Sequence, residues 1–107
     1  MELKEIIKRA AEVKRKYQKQ EMKEMGRLWT NSEIAQGFVG DVGELMKIIM
    51  AKEGLRKMND INERLEHELA DCLYCISLLA NNYRIDLEKA FDKTMAKIET
   101  KISKNKE

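Results

Sequence analysis

Two pairs of acids stand out in this chain: Asp41 with Glu44, and Glu68 with Asp71. Each pair is spaced i, i+3, which on an α-helix sets both side chains one turn apart on the same side. On a helical wheel Asp41 falls between Ile34 and Ile48, on the apolar side, and Glu44 borders Ile48. Glu68 projects between Leu79 and Cys75, and Asp71 sits beside Leu78. A carboxylate at a core edge is unfavourable by several kcal/mol unless something compensates it. If the two helices pack side by side, four carboxylates converge, and four negative charges in one place require cations. Hard oxygen ligands select magnesium, manganese or calcium. A magnesium ion held by carboxylates, with water positions left free, grips phosphates, offsets their charge and activates a water for in-line attack. Surface helices are rich in glutamate, so either pair alone means little. The apolar-side placement of Asp41 and Glu68 gives the pattern its weight. A di-iron bundle would need Glu-x-x-His pairs. The only histidine, His67, has Arg64 three positions before it.

Helices must position these acids, and the composition favours helices. Among 107 residues there is no proline and there are only five glycines, which argues against a sandwich or barrel. The spacing of apolar residues predicts four helices, over about 2–25, 31–52, 60–81 and 86–103. Gly26 is a stop for the first. Thr30-Asn31-Ser32-Glu33 reads as a capping box opening the second, and Gly54 lies just past its end. Asp60 offers an N-cap for the third, Asn81-Asn82 a left-handed-tolerant end, and Asp86 an N-cap for the fourth. The tail from Lys104 to Glu107 is expected to fray. Ile34, Phe38, Val42, Leu45 and Ile49 define the expected buried face of the second helix. Leu65, Leu69, Cys72, Ile76 and Leu79 define that of the third. Short connections predict a roughly antiparallel bundle in a single domain, residues 1–107.

At the acidic pairs the chain resembles a known family. Gly40-Asp41-Val42-Gly43-Glu44-Leu45 is similar to the "G-E-V-G-E-L" signature of the MazG-like all-α nucleoside triphosphate pyrophosphohydrolases. Glu68-Leu69-Ala70-Asp71-Cys72-Leu73-Tyr74 is similar to their "E-L-[AS]-D-V-L-Y". Leu79-Ala80-Asn81 and Ile85-Asp86-Leu87-Glu88 resemble the stretch that follows. The likeness runs in order from about Trp29 to Lys101. It implies a four-helix, bundle-like MazG fold assembled as a homodimer or homotetramer. It also implies magnesium-dependent cleavage of an NTP or dNTP between the α- and β-phosphates, with manganese as a possible substitute. By motif position the metal ligands map to Asp41, Glu44, Glu68 and Asp71, with Glu44 and Glu68 as candidates to activate the water. Two positions depart from the pattern. Asp41 stands where the family usually has glutamate, one methylene shorter, and Lys97 stands where a Lys93-x-x-x-Asn motif would place asparagine.

Other residues carry weaker signals. Lys93 and Lys97 share a face of the fourth helix and are candidate phosphate contacts, against a solvated lysine face. Trp29, the only tryptophan, is either a stacking surface for a base or a staple closing the connector, and the staple is preferred. Asn81 is either a cap or a group near the nucleotide. Cys72-Leu73-Tyr74-Cys75 is formally a CxxC, but its mid-helix setting fits core packing rather than redox or zinc chemistry. The first helix carries Glu5, Glu12, Glu21 and Glu24 among its lysines on the polar face, which weakens a membrane or RNA reading.

The net charge of +2 does not call for a nucleic-acid partner. The N-terminal Met1-Glu2-Leu3-Lys4-Glu5 lacks the apolar core of a secretion signal, and no apolar run reaches the ~20 residues that cross a bilayer. A cytoplasmic protein with reduced thiols is expected. The leading expectation is an enzyme. A non-catalytic helical interaction module with the same fold and a basic RNA-binding bundle are the competing classes.

Overall fold

A computed structural model describes residues 1–105, which form four α-helices and no strand. Helix α1 covers Leu3–Met25, α2 Asn31–Lys52, α3 Ile61–Asn82 and α4 Leu87–Asn105. Of the tail expected to fray, Lys104 continues α4, and Lys106 and Glu107 lie outside the described residues. No helix of the described residues is long and apolar enough to cross a membrane.

Local chemistry sets most of the helix ends. Gly26 closes α1 in the left-handed region (φ 71), its N–H donating to the Met22 carbonyl at 3.0 Å. Helix α2 opens on a capping box. The Glu33 N–H donates to Thr30 Oγ1 at 3.1 Å, and Glu33 Oε1 accepts from the Thr30 N–H at 3.0 Å. Arg27 then grips both oxygens of Glu33, at 2.7 and 3.1 Å. Asp86 starts α4 by accepting the Lys89 N–H at 3.1 Å.

Both ends of α3 differ from expectation. Asp60 takes a left-handed backbone (φ 54) and makes no side-chain cap bond, because side-chain capping uses an extended backbone. Asn81 and Asn82 stay helical, and the left-handed turn falls on Arg84 (φ 57). Asn82 instead donates to Asn31 Oδ1 at 2.8 Å and so ties the end of α3 to the start of α2.

The main packing is α2 along α3, with α1 laid against α3. Ala10, Ile34 and Leu78 meet at the junction of the three, with Tyr74 and Leu79 against them. The inner stripe of α2 is Ile34, Phe38, Asp41, Leu45 and Ile48. That of α3 is Ile61, Leu65, Glu68, Cys72, Cys75 and Leu79. Both stripes advance in alternating steps of four and three, and both contain an acid where a coiled seam would carry an apolar residue. Four residues expected on the buried faces lie outside these stripes: Val42, Ile49, Leu69 and Ile76 are exposed. Each helix has two apolar stripes, and a single chain covers only one of them.

Helix α4 departs from a closed bundle. It buries none of its residues. The radius of gyration is 17.3 Å, against about 13 Å for a compact chain of this length. Three helices therefore pack together while the fourth projects.

The α2 cap gives two expectations for stability. Thr30→Ala should lower the urea-derived unfolding free energy by about 1 kcal/mol. Arg27 beside Glu33, with the Thr30 N–H, holds the Glu33 carboxyl down at about 2 against its ordinary 4.5. A carboxylate lowered on folding stabilises in full above its unfolded value and loses that contribution as pH falls through the folded one. The urea midpoint should therefore drop between pH 4.5 and about 2, and Glu33→Gln should flatten that part of the profile.

Candidate metal centre

The stripe geometry brings three of the four predicted acids together. Asp41 from α2 and Glu68 and Asp71 from α3 each offer an oxygen, and these oxygens lie within 4.8 Å of one another. Glu68 is 8% exposed, and its Oε2 has no hydrogen-bond partner. Burial pushes the Glu68 carboxyl above its ordinary range, and the charges of Asp41 and Asp71 push it further. Among the described residues, no lysine or arginine forms an ion pair with the trio. The nearest polar neighbours are the Cys75 thiol, which donates to Asp41 Oδ2 at 3.5 Å, and His67 Nε2, 3.0 Å from Asp71 Oδ2. An orphaned buried carboxylate oxygen beside two like-charged groups is an arrangement that a hard divalent cation satisfies. Three oxygen donors suit magnesium or manganese better than a thiophilic ion.

Glu44 stands apart from the trio. Its side chain is 57% exposed and lies 3.2 Å from Lys47 Nζ. The inner stripe of α2 passes from Asp41 to Leu45, and Glu44 beside it lies at the rim.

A cavity of about 470 Å³ opens beside the carboxylates, walled by Asp41, Asp71, Tyr74, Cys75, Trp29 and the C-terminal half of α1. That volume lies in the ~300–1,000 Å³ range of small-molecule sites. Burial pushes the Cys75 thiol up to about 11 and the Tyr74 hydroxyl up to about 12, so both stay protonated on this wall at neutral pH. Trp29 is a wall of the cavity, with 44% of its surface left exposed. One side of its ring faces Lys14, whose Nζ is 5.4 Å from the ring centroid. The ring also runs along Gly37 of α2, where a Cβ would sit 3.9 Å from Cζ3. Lys93, Lys97 and Asn81 are exposed and do not line this cavity. The two lysines sit on the projecting α4, and Asn81 lies ten residues beyond Asp71, about 15 Å along α3.

Sequence reasoning missed Glu21, which it had placed on the polar face of α1. The structure buries it, at 7% exposure, on the cavity wall. The signal was present in the spacing. Leu3, Ile7, Ala10, Lys14, Tyr17 and Glu21 form one stripe of alternating four- and three-residue steps. Lys14 and Glu21 occupy that stripe as a pair, with Lys14 Nζ 2.7 Å from Glu21 Oε2.

Residues 29–104 match the family model described as the MazG nucleotide pyrophosphohydrolase domain. No curated protein and no solved structure matches the chain. The matched segment begins at the cavity's tryptophan and takes in α2, α3 and most of α4, with every carboxylate of the trio inside it. The chain belongs to the MazG nucleotide pyrophosphohydrolase domain family.

Proposed function

We propose that this chain hydrolyses an NTP or dNTP between the α- and β-phosphates, releasing the monophosphate and pyrophosphate, with Mg2+ or Mn2+ bound. The observation that carries the reading is the convergence of Asp41, Glu68 and Asp71 at the side of a nucleotide-sized cavity in a MazG-family chain. Those three side chains would hold the cation, and the unpartnered Glu68 Oε2 is the donor atom left free for it. A bound divalent ion would offset phosphate charge and lower the pKa of a water. Asp41 is one methylene shorter than the usual glutamate, so the α2·α3 seam brings it to the other two acids. Glu44, at the rim one turn from Asp41, is the general base of this proposal, with Glu68 as the alternative. The indole of Trp29 offers the base a stacking face within the cavity.

Assembly belongs to the same proposal. Val39, Val42, Met46 and Ile49 form an exposed stripe on α2. Leu69, Leu73 and Ile76 repeat it on α3, and Phe91, Ile98 and Ile102 on α4. Three unpartnered apolar stripes on one small chain call for a second copy. In a homodimer or homotetramer, α4 of one copy can reach the other copy's cavity. This is the route by which Lys93 and Lys97 become phosphate contacts.

Three measurements test these points. A panel of NTPs and dNTPs should give equimolar monophosphate and pyrophosphate with Mg2+ present and neither product without it. Asp41→Asn or Glu68→Gln should reduce turnover by about a hundredfold or more, as expected for losing a preorganised electrostatic group. Orthophosphate as the product, or no turnover on any nucleotide, contradicts the reading. The second outcome, with saturable partner binding, favours the non-catalytic module, which Glu44's separation from the trio supports.

Thermal unfolding isolates the metal. A cation at about 100 times its Kd adds ~2.7 kcal/mol to the folded state, so Mg2+ or Mn2+ should raise the Tm. Glu68→Gln should raise the metal-free Tm by removing a buried like charge, and should abolish the response to metal. Light scattering should report a mass at least twice the 12.5 kDa of one chain, and Ile98→Asp should lower it.

A further inference from the structure

The buried ion pair on α1 is used by nothing described so far, and it lies outside the family-matched segment. A buried carboxylate is unfavourable by several kcal/mol unless its partners compensate it. Glu21 has two. Oε2 accepts from Lys14 Nζ at 2.7 Å, and Oε1 accepts from the backbone N–H of Trp29 at 2.6 Å. The side chains of Glu21 and Lys14 are 8% and 13% exposed. Burial alone would push the Glu21 carboxyl up. The Lys14 hydrogen bond, the Trp29 N–H and the Lys14 charge outweigh it and hold the group below its ordinary value, so it stays ionised.

One carboxylate thus joins two elements that meet the Trp29 indole from different sides. Its first oxygen fixes the backbone of the connector at Trp29. Its second orients the Lys14 ammonium, which sits over the ring at 5.4 Å. A Cβ at Gly37 would lie 3.9 Å from Cζ3 of the ring, and Trp29 as a whole is 44% exposed, so the two bonds of Glu21 and the Lys14 contact are what hold the indole against the cavity. Glu24, one turn beyond Glu21, and Asp41 line the same cavity.

We infer that Glu21 is a positioning residue, which locks the Trp29 indole as a rigid wall of the cavity and so sets affinity for the nucleobase. The inference rests on the nucleotide reading given above. It adds that α1, which contributes nothing to the carboxylate trio, governs how the base is held. A preformed wall removes the ordering cost of a loose aromatic side chain on binding. Losing the lock should therefore weaken binding more than it slows the chemical step.

Trp29 is the only tryptophan, so its fluorescence reports this position alone. The experiment uses the full chain, with Glu21→Ala and Glu21→Gln. The glutamine amide oxygen can still accept the Trp29 N–H, so that variant guards against a simple folding failure. Circular dichroism confirms that each variant is folded. In Glu21→Ala the emission should shift to longer wavelength, and the acrylamide quenching constant should rise about twofold as the ring gains freedom to expose itself. KM for the best nucleotide should rise about tenfold with kcat within about threefold, the pattern of lost ground-state binding. Glu21→Gln should restore most of the emission and most of KM. Unchanged emission and quenching in a folded Glu21→Ala overturns the inference. So does a fall in kcat with KM unaltered. Wild-type protein that binds no nucleotide overturns the functional reading and this inference together, whereas wild-type binding with a silent Glu21→Ala overturns the inference alone.

Discussion

Negative charge packed into an apolar seam is the constraint on which this molecule is built. Asp41 and Glu68 sit on the facing stripes of α2 and α3, with Asp71 beside them at the edge of the seam. Like charges this close repel in a medium much less polarisable than water, and Glu68 shows it in its raised pKa and its orphaned oxygen. Ile34, Phe38, Leu45 and Ile48 on one helix and Ile61, Leu65, Cys72 and Leu79 on the other supply the apolar packing that holds the acids in place. The seam therefore stores an unfavourable arrangement that a divalent cation would relieve, as expected of a functional site rather than a structural one.

The second buried glutamate shows the opposite electrostatics. Glu21 is as buried as Glu68, yet its pKa is lowered where that of Glu68 is raised. The difference lies in the neighbours. Glu21 has an ammonium and a backbone N–H within 2.7 Å, and Glu68 has two more carboxylates. A compensated charge organises the chain around it, and here it ties α1 to the connector. An uncompensated one is an arrangement that a bound cation would relieve. Burial alone would not have separated these two roles.

Helix α4 and the outer stripes of α2 and α3 express a limit of size. Among the described residues, no element covers Val42, Leu69, Phe91 or Ile98. Helix α4 carries an apolar stripe with no partner on the same chain. A cavity beside the carboxylates and a helix extended away from it suit a site completed by association.

Much of this was legible in the sequence because the responsible interactions are local. The absence of proline, the 3.6-residue periodicity, the Thr30 capping box, Gly26, Gly54 and Asp86 act within a few residues of themselves, and the helices follow from them. The two acidic pairs were legible for the same reason, since i, i+3 spacing on a helix puts both side chains on one side. What the tertiary structure decided is which way each helix faces. Helices α2 and α3 each have two apolar stripes, and a sequence does not rank them. The choice of the stripe containing Asp41 and Glu68 brought those acids into the seam, sent Glu44 to the rim and left Val42 and Leu69 exposed. The same holds for Glu21 and Trp29, eight residues apart on two elements, whose 2.6 Å bond depends on the angle at which the connector leaves Gly26. Period and caps are properties of a chain segment, whereas rotation about a helix axis is settled only by what packs against it.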